Sequence, residues 1–401
     1  MKRTKLFTAV IAVSLILFTG CKKEIKTDST SATADLQIEN QSLSKQSTGA
    51  AGLKSKYQKL MASLPAGFKE KLKQSAAISL KAHPEYRDLI LRTLRVTEPA
   101  SCNANTPVHL WLDKQLADWN SEVIGYVLDL GMLDLPTYDA IVFENSSANQ
   151  YFGVNGEYTQ RLTKTFKDLK RFWNIQSNDM VLAAMHGSML GDRDKVIRTY
   201  VAVFNIDRAT AAKLADFIVA LIDVIPQYRD GNHPFFTFNS YALEGFAFPP
   251  YGVIPDKIIM GDGIMDAYAA VGYKDVAPQA ILAHEFGHHI QFQLGLFGNE
   301  NTPEATRRTE LMADAYSAYY LSHARGASMQ WKRVKQFLQV FFNIGDCSFT
   351  STNHHGTPTQ RIAAAEWAYN LANNAQKQGH ILTSQKFTAL FEAQLPKILK
   401  Q

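Results

Sequence analysis

The chain has 401 residues, room for one large or two moderate domains, and 46% of them are hydrophobic, ample material for a real core. Its formal charge is +5, but Lys2, Arg3 and Lys5 supply three of those charges, leaving 5 − 3 = +2 for the rest of the chain. With so small a surplus and no basic run interleaved with aromatics, composition points away from nucleic acid.

From the N-terminus, the basic residues lead into an apolar stretch from Leu6 to Phe18, too short for a membrane span and of the form of a secretory signal over residues 1–20. Leu17-Phe18-Thr19-Gly20-Cys21 resembles a lipoprotein signal-peptidase site, with Cys21 as the lipidated residue; an ordinary signal peptide cleaved nearby is the alternative. Either implies export. Lipidation implies a cell-envelope protein anchored to a membrane, at the outer membrane or cell surface, without spanning it. Residues 21–56, rich in Ser, Thr, Lys, Gln and Ala, read as a flexible tether. Cys102 and Cys347 remain; an exported setting permits a disulfide, but sequence does not place their sulfurs together.

Residues 57–132 read as helical. Leu60, Leu64, Phe68 and Leu72, then Leu89, Leu91 and Leu94, then Trp111, Leu112, Leu116 and Trp119 form apolar stripes suited to a core. From Tyr138 to Asp262 the pattern alternates. Strands are predicted at Ala140–Phe143, Met180–Ala184, Phe235–Phe238 and Lys257–Met260, with helices at Thr159–Trp173 and in pieces over Asp194–Ile225. His186 and His233 read as ordinary polar loop residues.

The chemistry concentrates between Ala277 and Arg325. Ile281, Leu282, Phe286, Ile290 and Leu294 recur at helical spacing, Pro278 suits a first turn, and Gly298 is the predicted stop. In Ala283-His284-Glu285-Phe286-Gly287-His288-His289, His284 and His288 stand one turn apart on one face, where they can share a metal ion. The H-E-x-x-H pattern makes Glu285 the general base toward a water that zinc would activate. Gly287 costs about 1 kcal/mol in mid-helix, so a close backbone approach is expected there. His289, turned about 100° around the helix, is expected to make a structural hydrogen bond.

A zinc site of this kind needs a third protein ligand and an open position. Thr302-Pro303-Glu304 reads as an N-cap and first turn, opening a helix that could run to Gly326. Glu310 is the predicted third ligand, 310 − 288 = 22 residues beyond His288; His323, His354 and Glu304 are the alternatives. Asp314, four residues on, would take the free N–H of a ligand histidine.

The segments Ala283–Gln291, Arg308–Asp314 and His355-Gly356-Thr357-Pro358-Thr359-Gln360-Arg361 together resemble the bacterial neutral zinc metallopeptidase family and the broader gluzincin pattern typified by thermolysin. The likeness covers roughly residues 275–370. It implies one zinc held by His284, His288 and Glu310, Glu285 as base, Asp314 as support, and hydrolysis of peptide bonds. The chain departs from the family where Gln is expected at Met312 and Cys at Ala315. The implied fold is α+β and predominantly helical, a zincin-like domain over 133–401 with a small mixed sheet packed on the H-E-x-x-H helix. By the same analogy, Ile258–Gly261 would be the edge strand that pairs with extended substrate.

Two further helices are predicted, Met329–Phe342 and one from Thr357-Pro358 to near Gly379, separated by a loop ending in His354-His355. Peptide hydrolysis also needs a donor for the oxyanion. His355 is the leading candidate, with His354, Tyr316 and Tyr320 behind it. Two other classes stay open: a lipid-anchored zinc-binding assembly protein without activity, and a hydrolase of a non-peptide amide in the cell envelope.

Overall fold

A computed structural model describes residues 52–72, 74, 106–297, 302–342, 356–377 and 380–401. Cys21, Cys102, Cys347, His354 and His355 lie outside the described residues, as do Leu89, Leu91 and Leu94. The chain divides into units at 1–49 and 50–401, and the second holds everything below.

The molecule is predominantly helical with a small mixed sheet. After a helical stretch at 52–63 come α1 (Pro107–Gln115), α2 (Ser121–Asp129), α3 (Asp134–Phe143) and α4 (Thr159–Phe172). Then follow β1 (Val181–Met185), α5 (Arg193–Phe204), α6 (Arg208–Val224), β2 (Ser240–Leu243), the hairpin β3 (Phe246–Ala247) and β4 (Val253–Ile254), and β5 (Lys257–Gly261). The remaining helices are α7 (Asp262–Tyr268), α8 (Ala277–Gln293), α9 (Pro303–Ser322), α10 (Trp331–Phe342), α11 (Pro358–Lys377) and α12 (Ser384–Ile398). One hydrophobic cluster runs through them, from Leu53 and Phe68 by way of Phe286 to Phe391 and Ile398. Among the described residues no helix is long and apolar enough to cross a membrane.

Three of the expected strand assignments change. Ala140–Phe143 is the last turn of α3, not a strand. The reason is Lys257 at the start of β5, a fully buried lysine. Its Nζ donates to the carbonyls of Ala140, Ile141 and Glu144 and to Asn145 Oδ1, at 3.2, 2.7, 3.0 and 2.6 Å. A cation there satisfies carbonyls that a helix end leaves without partners. Burial holds the Lys257 pKa down at about 8.

Phe235–Phe238 is likewise not a strand; Pro234–Thr237 forms a 3₁₀ turn. Pro234 has no N–H to give a ladder, and the His233 ring accepts from the Phe235 N–H at 3.2 Å, capping the turn while Phe235 and Phe236 enter the core. The third change concerns the sheet, whose order is β1-β5-β2. β5 is its centre, parallel to β1 with Val181 opposite Lys257 and antiparallel to β2 with Ala242 opposite Ile258. The expected edge at Ile258–Gly261 is therefore paired on both sides, and β2 stands at the edge beside α8.

His233 is buried between Trp119, 4.7 Å away by ring centroids, and the Gln115 carbonyl, 3.0 Å from its Nε2. Burial holds its pKa down at about 4, against 6.5 ordinarily. The unfolded chain therefore binds more protons than the native one between those values, so stability falls as pH drops from about 6.5 to 4. The full effect is about 3 kcal/mol. Urea midpoints at pH 7 and pH 5 should show the loss, and His233→Gln should flatten it; an equally steep loss in the variant would place the acid sensitivity elsewhere.

Candidate metal centre

Every residue of α8 from Ala280 to Gln291 is buried. The helix is not an amphipathic surface element but a core rod, closed on all faces, which puts its histidines inside the protein. It ends at Gln293, with Leu294 as its C-cap and Gly295 at φ 63°, ahead of the predicted stop at Gly298. α9 opens as expected, Thr302 Oγ1 accepting from the Ala305 N–H at 3.2 Å, but it ends at Ser322 rather than Gly326.

The two helices run antiparallel. Ser317 Oγ donates to the Ala280 carbonyl at 3.1 Å, and Gln291 Nε2 to the Thr309 carbonyl at 2.6 Å. Between these contacts lies Gly287. A Cβ there would stand 3.0 Å from Ala313 Cα, so the absence of a side chain lets the backbones approach closely. That approach is what brings Glu310 to the histidines.

His284 Nε2 lies 3.3 Å from Glu310 Oε2, and His288 Nε2 lies 3.5 Å from Glu310 Oε1. The three side chains can offer one ligand atom each, all within 4.8 Å of one another. Donors at about 2.0–2.2 Å from a tetrahedral zinc stand about 3.3 Å apart, and two imidazoles with one carboxylate is a catalytic zinc donor set. The residues fit the ion on both counts.

The outer nitrogens of the imidazoles are engaged as well. His284 Nδ1 is 3.0 Å from Asp314 Oδ1, an ion-pair approach not aligned as a hydrogen bond. His288 Nδ1 is 2.9 Å from Gln291 Oε1, and Gln291 is itself fixed by the Thr309 carbonyl. Such contacts turn the inner nitrogens toward a common centre. Asp314 is gripped from α11 by Arg361, whose Nε and Nη2 donate to its two oxygens at 2.7 Å each.

Burial alone would push the His284 pKa down, but the carboxylates of Asp314 and Glu310 outweigh it and carry it up to about 10. The two carboxylates thus favour positive charge at this position, and a bound metal ion would supply it in place of a proton. Asp314 shows the converse: burial would raise it, yet Arg361 and His284 hold it below the usual carboxylate range. Burial pushes Glu285 up against the opposing pull of His284 and His288, and the backbone N–H of Ala242 on the edge strand faces its carboxylate and favours its charged form.

Two of the alternative ligands are elsewhere. Glu304 is exposed in the first turn of α9, and His323 caps its far end, 3.3 Å from the His380 carbonyl. Tyr316 and Tyr320 are core residues, not oxyanion donors: Tyr316 bonds Thr388, and Tyr320 packs against Phe172. His289 ties α8 to β5, its Nε2 3.0 Å from the Lys257 carbonyl. His186 pairs with Asp262 at 2.7 Å under a stacked Tyr151, outside this cluster. Met312 and Ala315, the departures from the family pattern, are buried in the core.

Compared with protein-family models, with curated proteins and with solved structures, the chain finds no match in any of the three.

Three participants carry no role in the sequence reading. Gln291 had a usable signal, an amide three residues beyond His288 on the same helix face. Arg361 stood in the third motif of the resemblance without an assignment. Ala242 acts through its backbone, which leaves no trace in residue identity.

Proposed function

We propose that the chain is a zinc-dependent peptidase of gluzincin type on a zincin-like fold. One observation carries this: His284, His288 and Glu310 converge through single ligand atoms, with Glu285 beside them on the same helix. Bound zinc would polarise the scissile carbonyl and acidify the attacking water. Glu285 takes the water's proton on a carboxylate oxygen and passes it to the leaving amine nitrogen. The Ala242 N–H, facing the Glu285 carboxylate, favours the charged form that the first transfer needs. Asp314 and Gln291 keep the imidazoles aimed, and Arg361 keeps Asp314 ionised. An extended peptide would pair with the outer edge of β2, the strand nearest the base. The signal-like N-terminus and Cys21 support export and lipid anchoring in the cell envelope, with peptides or proteins there as substrates.

Metal analysis tests the reading. The purified chain should carry a single zinc, and its hydrolysis of an unselected peptide mixture should stop on chelation and resume on adding zinc. Glu310→Ala should weaken zinc binding by more than the about 10- to 100-fold typical of residues that only support ligands. Zinc kept at full affinity by Glu310→Ala would remove the gluzincin site.

A further inference from the structure

Among the described arginines that are not exposed, Arg198, Arg308, Arg333 and Arg361 each hold a carboxylate, those of Asp139, Glu392, Asp275 and Asp314. Arg307 is the exception. It is half-buried, its Nε is covered and unbonded, and no carboxylate among the described residues pairs with it. A guanidinium cannot shed its proton to escape this cost, and withdrawing an N–H from water without a partner is unfavourable. Among the described residues, the position holds a cation to which no anion is offered.

Its place is specific. Arg307 precedes Glu310 by three residues on α9, so their Cβ atoms are about 5–6 Å apart on neighbouring positions of one face. Its stem is fixed by packing: a Cβ on Gly356 would lie 3.4 Å from Arg307 Cγ and 3.1 Å from Leu311 Cδ2. The next residue, Arg308, donates to the Leu296 carbonyl at 2.9 Å, which sets this turn of α9 level with the end of α8. Phe297 stands at that end, 43% exposed, stacked on Phe292 and with its ring centroid 6.2 Å from that of His288. Beyond the His288 side of the metal cluster, then, Arg307, without a partner among the described residues, and the exposed ring of Phe297 lie on turns that the Arg308–Leu296 contact sets level.

We infer that Arg307 recognises a carboxylate of the substrate close to the bond that is cut, an inference that rests on the peptidase reading above. The planar fork of arginine matches a carboxylate in a bidentate pair, a stronger contact than one between neutral groups. An extended peptide advances about 3.3 Å per residue, so the carboxylate lies about one to three residues from the cleaved bond. It is either the free C-terminus, which makes the enzyme a remover of short C-terminal pieces, or an acidic side chain within a longer chain. Arg307 is a specificity residue and takes no part in the proton transfers.

The test uses three short peptide hydroxamates of one sequence: one ending in a free carboxylate, one in an amide, and one amide with glutamate replacing its last residue. Each is titrated calorimetrically into the zinc-loaded chain, Arg307→Ala and Arg307→Lys, with zinc content measured alongside. A carboxylate-bearing ligand should bind about 10- to 100-fold tighter than the plain amide, as expected of a hydrogen bond to a charged group. Arg307→Ala should erase that preference while leaving the amide's affinity and the zinc content unchanged, and Arg307→Lys should recover part of it. Which ligand shows the preference tells the C-terminus from a side chain. Equal affinities in the parent chain, or a preference surviving in Arg307→Ala, overturn the role of Arg307 while leaving the metal site standing. An equal loss of all three ligands in Arg307→Ala makes the residue structural and overturns it too. If no hydroxamate binds the zinc-loaded parent, the peptidase reading falls, and this inference with it.

Discussion

Glu285→Gln is expected to keep the metal and lose turnover, by about 10²- to 10⁴-fold in kcat. The substitution is nearly isosteric, so the side chain can stay where it is in its buried place on α8. What it loses is the capacity to take a proton. Glu285 touches no other carboxylate through a hydrogen bond and is not one of the converging ligand groups, so zinc content should match the parent. Steady-state kinetics with metal analysis on the same samples decides the matter. Activity retained in Glu285→Gln would remove the mechanism, whatever the metal content.

How much of this was legible beforehand depends on what kind of contact carries each feature. The H-E-x-x-H helix and the Glu310–Asp314 pair could be found because helical periodicity maps sequence spacing directly onto one face. Gly287 could be flagged because glycine in mid-helix has a cost that only a close neighbour explains, and Ala313 is that neighbour. The sheet was less readable. Ala140–Phe143 has the β-branched and aromatic make-up of a strand, and only Lys257, more than a hundred residues later, turns its carbonyls into a capped helix end. Phe235–Phe238 has the aromatic make-up of a strand, but Pro234 and the capping ring of His233, both local signals, make it a 3₁₀ turn. β2 leaves a faint signal because Ser240–Leu243 is short and only half-buried, with a weak alternation of polar and apolar residues. Its neighbour β5 reads as an apolar run because it is buried on every side, a mark of a central strand and not of an edge. α12 also went unpredicted, its Pro396 arguing against a helix that tolerates it in the last turn.

The second large effect concerns the charge behind the metal. Arg361→Met should destabilise the metal-free protein by about 3–5 kcal/mol, because it leaves Asp314 ionised, buried and stripped of its bidentate partner. Measuring the metal-free form matters, since any ligand that binds only the native state adds its own stabilisation. Zinc affinity should fall as well, by about 10- to 100-fold, as Asp314 loses the cation that holds its pKa down and with it the firm charge facing His284 Nδ1. The double variant Arg361→Met with Asp314→Leu separates the two consequences. Replacing a buried ion pair with apolar side chains is often neutral for folding, so the urea midpoint should return close to the parent value. The zinc affinity should not return, because His284 then has no carboxylate behind it. If both quantities recover in the double variant, the Asp314–Arg361 pair supports only the packing of α9 on α11, and the orientation of His284 must be fixed by the burial of its ring alone.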